Sequence, residues 1–433
     1  MKRLLIAVVP LAVLGIGLIA FLNRGDDSPG AAPQLAGAPA SADVMARGEY
    51  LTRAADCEAC HSVPGSGKAF AGGVAFHLPF GTLYSTNITA DPETGIGRWS
   101  DDEFVRAVRD GVRADGAHLY PAHPYTSYTL LARSDVLAMK SYLLALPAIR
   151  QADRPNALGF PFSQRWAVGL WKAAFFTSRR FAADPSKSPL WNSGAYLAIA
   201  LGHCGECHTP RNPAFGLRQR QALAGEAMLG WRAYNISSDP KYGIGSWSDR
   251  DIAEYLKTGH ADWRGSAAGP MGEAVEYSLQ FLDDADVAAL VTYLRSVPAQ
   301  RDGQPVEVDA LPAPALASTG IAPGADRDPH AQGVQLFAGA CASCHLWNGK
   351  GLETQYASLI GTRGVNDVSG LNVTQAILNG VQLSIGGREV FMPAFGASYS
   401  DAEVAALANY VIGHFGNKQS HVTPEEVARL RTL

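Results

Sequence analysis

Hydrophobic positions fall into distinct kinds of stretch along this chain. An unbroken apolar run from Leu4 to Leu22 follows Met1-Lys2-Arg3 and stops at Asn23-Arg24-Gly25-Asp26-Asp27. About 20 apolar residues span a bilayer, whereas a secretory h-region needs about 7 to 15, so the run predicts a transmembrane helix within residues 1–25. A signal peptide cut near Ala40-Ser41-Ala42 is the alternative, and either way the chain after Leu22 is exported. Beyond the run, apolar residues recur at helical spacing in short segments that come in threes. Gly48-Glu49-Tyr50-Leu51, Gly194-Ala195-Tyr196-Leu197 and Gly333-Val334-Gln335-Leu336 each open a helix. Asp135-Val136 to Tyr142-Leu143, Asp286-Val287 to Tyr293-Leu294 and Glu403-Val404 to Tyr410-Val411 each close one, with the tyrosines in register. Ser100 with Glu103, Ser248 with Asp251 and Ser400 with Glu403 have capping-box spacing. Strand signal is weak between these helices, so the pattern predicts three small all-α domains in tandem, 43–150, 185–300 and 331–418.

The first two are the more alike. Asn87-Ile88, Asp91-Pro92, Gly95-Ile96-Gly97 and Trp99-Ser100 return as Asn235-Ile236, Asp239-Pro240, Gly243-Ile244-Gly245 and Trp247-Ser248, at a constant offset of 148 residues. This is an internal duplication, and its Gly and Pro content reads as an ordered loop. Residues 301–330, rich in Pro, Ala, Gly and Asp without helical period, read as a linker. Between the first two domains, Phe160-Pro161-Phe162, Trp166, Trp171 and Phe175-Phe176 make an aromatic segment interspersed with Arg and Lys, suited to packing between domains or to a membrane or partner surface.

The chain has 433 residues, 47% of them apolar, enough for several cores. A formal net charge of −4 leaves no basic footprint, which sets nucleic acid aside. Cysteine changes the picture more. All six cysteines belong to three copies of one pattern, Cys57-Glu58-Ala59-Cys60-His61, Cys204-Gly205-Glu206-Cys207-His208 and Cys341-Ala342-Ser343-Cys344-His345. Two thiols at this spacing can add to the vinyl groups of one haem while the adjacent His offers a ring nitrogen to its iron. Disulfides or zinc would not require a His after the second Cys on all three occasions. The expectation is three covalent haem c groups, held by Cys57, Cys60, Cys204, Cys207, Cys341 and Cys344, with His61, His208 and His345 as proximal iron ligands.

A sixth ligand from the far half of each domain would complete each iron. Of the six Met, Met1 and Met45 precede the haem motifs, Met139 lies in a closing helix and Met228 lies early in its loop. Met271 in Gly269-Pro270-Met271-Gly272 and Met392 in Phe391-Met392-Pro393-Ala394 remain, each in a Gly/Pro loop before a closing helix. For the first haem the duplication offset takes Met271 to His123, in Tyr120-Pro121-Ala122-His123-Pro124-Tyr125, with His118 and His77 as weaker candidates. Imidazole donates more strongly to ferric iron than a thioether, so a bis-His first haem should have the lowest potential of the three.

With its helices bracketing a haem loop, each domain resembles the class I cytochrome c fold. Together with Gly81-Thr82-Leu83-Tyr84-Ser85-Thr86-Asn87-Ile88-Thr89 and Leu119-Tyr120-Pro121-Ala122-His123-Pro124-Tyr125, the three modules resemble the triple-haem cytochrome subunits of bacterial membrane dehydrogenases over about Ala46 to Gly416. That resemblance implies a quinoprotein, flavoprotein or molybdenum dehydrogenase as large-subunit partner. It also implies electron delivery to ubiquinone or a terminal oxidase, at the bacterial inner membrane with the haem domains facing the periplasm. The family pattern has Met where this chain has His123. The reading is an electron-transfer subunit without a catalytic residue of its own. A free-standing membrane cytochrome, or a haem enzyme with an open site at the first haem, are the alternatives.

Overall fold

The computed structural model describes residues 28–39, 43–301, 331–352 and 354–432. They divide into two compact units, one running to Glu206 and taking in Asn212–Leu217, the other made of Cys207–Arg211 and the chain from Arg218.

In the first unit, Asp43 caps α1 (Val44–Ala54) by accepting from the Ala46 amide, and the helix leads into α2 (Cys57–His61). Strands β1 (Ala75–Leu78) and β2 (Gly81–Tyr84) pair antiparallel with Phe76 opposite Leu83. The Ser100–Glu103 capping box starts α3 (Asp101–Asp110), and Gly111 ends it in the left-handed conformation. Helices α4 (Tyr125–Tyr128) and α5 (Arg133–Ala145) follow. Strand β3 (Ala157–Leu158) then joins the free edge of β2, with Gly81 opposite Leu158. Helices α6 (Ala167–Phe175) and α7 (Pro189–Tyr196) come next, the second started by Ser188 with Pro at its first turn.

The core lies where α1 crosses α5. A Cβ on Gly48 would stand 2.1 Å from the Ala138 carbonyl oxygen and 2.9 Å from the Tyr142 Cβ, so only glycine lets the two helices meet there. Leu51, Leu131, Val136 and Leu143 are buried around the crossing, each contributing roughly 1.5–3 kcal/mol. The helical turn α8 (Gly205–His208) carries the second haem motif, and the division between the units falls within it.

The second unit begins with the hairpin β4 (Glu226–Met228) and β5 (Trp231–Ala233), then the capping-box helix α9 (Asp249–Thr258). A two-residue pair, β6 (His260–Ala261) with β7 (Gly265–Ser266), precedes α10 (Gly269–Tyr277) and α11 (Asp284–Ser296). After α12 (Ala331–Leu336), α13 (Ala342–His345), α14 (Arg363–Asn366) and α15 (Leu371–Asn379), strands β8 (Val381–Ile385) and β9 (Arg388–Met392) form the longest hairpin. Helices α16 (Asp401–Gly416) and α17 (Pro424–Leu430) close the chain. The crossing recurs here between α12 and α16, where a Cβ on Gly333 would lie 2.5 Å from both the Ala406 carbonyl oxygen and the Tyr410 Cβ. Phe337, Val404, Leu407, Tyr410 and Phe415 pack the core beside it.

The expectation of an all-α chain behind a transmembrane helix is therefore corrected. Among the described residues, four small antiparallel sheets stand between the helices, and no helix is long and apolar enough to cross a membrane. The run Leu4–Leu22, on which the anchor was placed, and most of the linker 301–330 lie outside the described residues. The strands escaped sequence reading because two to five residues are too few to show alternation. Gly386-Gly387 between Val381–Ile385 and Arg388–Met392 was nevertheless a hairpin signal, since both glycines take positive φ, 58° and 73°.

Candidate haem sites

Each Cys-x-x-Cys-His motif ends in a short helical turn that closes on its histidine. None of the six cysteines, all within the described residues, is disulfide-bonded. The three histidines share one constraint. Nδ1 of His61 lies 2.7 Å from the Thr86 carbonyl, Nδ1 of His208 lies 2.6 Å from that of Tyr234, and Nδ1 of His345 lies 2.7 Å from that of Ala357. A carbonyl can only accept, so each ring carries its proton on Nδ1 and keeps its lone pair on Nε2, the form that ligates iron. Burial holds all three imidazoles below their ordinary range, His208 down to about 4, against the upward pull of those carbonyls. Neutral, tautomer-fixed rings beside paired thiols fit covalent haem c.

The structure brings His123 to His61. Burial, ahead of the charge the two rings would share, pushes the His123 imidazole down to about 3, while the Val108 and Ala107 backbone at the end of α3 pulls the other way. Its Nε2 is shut off from solvent without a hydrogen-bond partner. A buried, unpartnered ring nitrogen is costly unless something fills the gap, and an iron facing His61 would fill it. Tyr128, whose hydroxyl donates to the Ala55 carbonyl at 2.5 Å, meets the His123 ring edge-on at 5.4 Å. The weaker candidates sit elsewhere: His118 Nδ1 is 3.4 Å from the Lys172 ammonium, and His77 on β1 is 3.3 Å from the Thr82 hydroxyl.

Met271 and Met392 are not in loops. Pro270 in the first turn starts α10, so Met271 is helical and packs against Ala267, Val275, Leu383 and Ile385. Met392 ends β9 opposite Val381. The duplicated loop is a framework: Asn87 donates to the Ile149 carbonyl at 2.7 Å and Asn235 to the Gln300 carbonyl at 2.8 Å, tying each loop to the segment after its closing helix. Asp91 and Asp239 accept from the amides two and three residues on.

Sequence reading missed His203, directly before Cys204. It takes φ 37°, and Asp56, directly before Cys57, takes φ 53°. Its ring packs edge-on against Tyr128 at 5.5 Å. Glu206, inside the second haem motif and 7% exposed, accepts hydrogen bonds from the hydroxyls of Thr126 and of Ser127, the latter at 3.0 Å. The repeated positive φ was visible only in the backbone.

Comparison with known proteins agrees with this chemistry. Residues 328–411 match the family described as cytochrome c oxidase, cbb3-type, subunit III. The fructose dehydrogenase cytochrome subunit of Gluconobacter japonicus is 41% identical over 411 residues, 91% of this chain and 84% of the relative. The gluconate 2-dehydrogenase cytochrome c subunit of Pantoea cypripedii is 37% identical over 442 residues, 97% of this chain and 94% of the relative. The cytochrome c subunit of the quinone alcohol dehydrogenase of Gluconacetobacter polyoxogenes is 35% identical over 408 residues, 90% and 85% of the two chains. With paired cysteines, locked histidines and likeness over most of both lengths, the chain belongs to the family of cytochrome c subunits of dehydrogenase complexes.

Proposed function

We propose that this chain carries three covalent haem c groups and passes electrons from a periplasmic dehydrogenase that oxidises an alcohol, aldehyde or sugar acid to ubiquinone or a terminal oxidase. The observation that carries the reading is threefold: each Cys pair is followed by a histidine whose Nδ1 is held by a backbone carbonyl. Bound haem supplies a one-electron couple at each site. The chain's own residues do the rest. Cys57 and Cys60, Cys204 and Cys207, and Cys341 and Cys344 fix the ring covalently, and His61, His208 and His345 hold the proximal side of each iron. His123, Met271 and Met392 close the far side, in domains bounded at 43–150, 185–300 and 331–418. The unpartnered Nε2 of His123 speaks for a closed first site and against a haem enzyme with an open one. The relatives named for fructose, gluconate and alcohol dehydrogenases support a dehydrogenase large subunit as partner. On this reading it is of flavoprotein, quinoprotein or molybdenum type and works at the periplasmic face of the inner membrane.

The test is purification in mild detergent with a haem count per chain. Three haems per chain, a co-purifying dehydrogenase, and haem bands that turn reduced when its substrate is added are expected. Fewer than three haems overturns the haem assignment. A chain that purifies alone and is reduced only by quinol would instead make it a free-standing cytochrome.

A further inference from the structure

His208, Tyr234 and Asn235 of the second haem site belong to the same compact unit as the third module, and Arg363 joins the two. Arg363 opens α14 and is 7% exposed. Its Nη1 donates to the Asn235 carbonyl at 3.1 Å, its Nη2 donates to the Tyr242 carbonyl at 2.7 Å, and its guanidinium carbon lies 4.8 Å from the Tyr234 ring centroid. Tyr234 is the residue whose carbonyl accepts from His208. The cation is therefore anchored one peptide away from the bond that orients the second proximal ligand.

Asp367 bears on this charge but is shared with a second cation, so it offsets Arg363 only in part. Asp367 is taken by Arg232, at 2.9 Å, and by the Tyr234 hydroxyl, at 3.3 Å. Among the described residues no carboxylate lies within ion-pair distance of Arg363, and its Nε is buried without a hydrogen-bond partner. The duplication supplies an internal comparison. At the equivalent place in the first module, where Asn87 matches Asn235, the backbone amide donates to the carboxylate of Asp153 at 2.9 Å. The same turn thus meets a carboxylate beside the first proximal histidine, one that also faces Arg113 Nη1 at 3.8 Å, and a cation beside the second.

We propose that Arg363 is a positioning and potential-setting residue for the second haem, supplied by the third module. Ferric iron carries one more positive charge than ferrous iron, so a buried cation nearby disfavours the oxidised form. One electron gained by the second iron is one lost by a neighbouring haem, and Arg363 biases that exchange toward the second. The proposal rests on the three-haem reading above.

Redox titration of the detergent-solubilised full chain tests it, with the second haem's component identified as the one missing from Cys204→Ala/Cys207→Ala. Arg363→Gln should lower that midpoint alone, by at least the equivalent of a tenfold change in electron partition with the third haem, 59 mV for a one-electron couple. Arg363→Lys, which keeps the charge, should restore most of it. An unmoved midpoint, or equal shifts in Gln and Lys, overturns the proposal. Should Arg363→Gln fail to accumulate, Asp367→Asn puts the same question from the other side: removing the neighbouring anion must raise the second midpoint, and no change overturns it. The haem count is taken first. A chain lacking the second haem overturns the three-haem reading and this inference with it, whereas three haems with unmoved potentials overturn this inference alone.

Discussion

Asp135 is fully buried at the start of α5, and an ionised carboxylate there survives only through its partners. Arg47 Nη2 reaches it at 2.5 Å and the Tyr196 hydroxyl donates to its other oxygen at 2.8 Å. Arg47→Ala leaves that charge with one partner and should cost about 3–5 kcal/mol, read as a lower thermal midpoint. Replacing both members, Arg47→Met with Asp135→Leu, should recover most of the loss, and a double variant as unstable as the single one would refute the account. Lys172 is the opposite case, a cation that the fold does not favour. Burial beside Tyr125 and Phe176 lowers its ammonium to about 8 from an ordinary 10.5, against the pull of Asp110. Between those values the unfolded chain holds a proton that the folded chain has released, so this residue's penalty is full below pH 8 and fades as pH rises toward 10.5. The thermal midpoint of the native protein should gain on that of Lys172→Met across this window, and a constant difference refutes it. The three Cys-x-x-Cys-His motifs could be read from spacing alone, and the duplication points to His123, which the fold buries near His61. Arg363 and Lys172 could not, because what matters about them is which distant backbone they meet.

Helix pairs and hairpins show where local pattern suffices. The glycines and tyrosines that repeat through the sequence mark the crossings: Gly48 lies under Tyr142 and Gly333 under Tyr410, with no room for a methyl group at either glycine. Gly333→Ala should therefore cost roughly 1–3 kcal/mol through overpacking, read as a lower urea midpoint. Gly339→Ala, six residues on with nothing within 4 Å of the added carbon, should be neutral or slightly stabilising. Equal effects would show that helix propensity, not the crossing, decides. The three capping boxes read from sequence all form, because each needs only one short segment. Apart from the Gly386-Gly387 turn the hairpins leave no local mark, since each strand depends on a partner, and Pro270, which reads as a loop residue, instead starts α10.

At the scale of the whole molecule, three versions of one motif have been given different surroundings, and the potentials should record it. The repeats are legible in the sequence as three copies of one motif. The division into two units is not, because it passes inside the second motif: Glu206 bonds to Ser127 of the first unit, while His208 bonds to Tyr234 of the second. Identical spacing cannot reveal that split. Electrostatics then separates the sites. On the proposed ligation the first has two imidazoles and the carboxylate of Asp153, all of which favour ferric iron. The second offers a thioether, if Met271 ligates, and the Arg363 cation. A redox titration should accordingly resolve one low component and two higher ones. His123→Met should raise the low component alone. Asp153→Asn should raise it by less, because the Asp153 side chain is 31% exposed and solvent screens its charge. Carbon monoxide should leave the reduced native spectrum unchanged yet bind His123→Ala, whose vacated position opens the first iron. If the low-potential component of the native protein binds carbon monoxide, or if no component moves in His123→Met, His123 is not the ligand, and its unpartnered nitrogen needs another explanation.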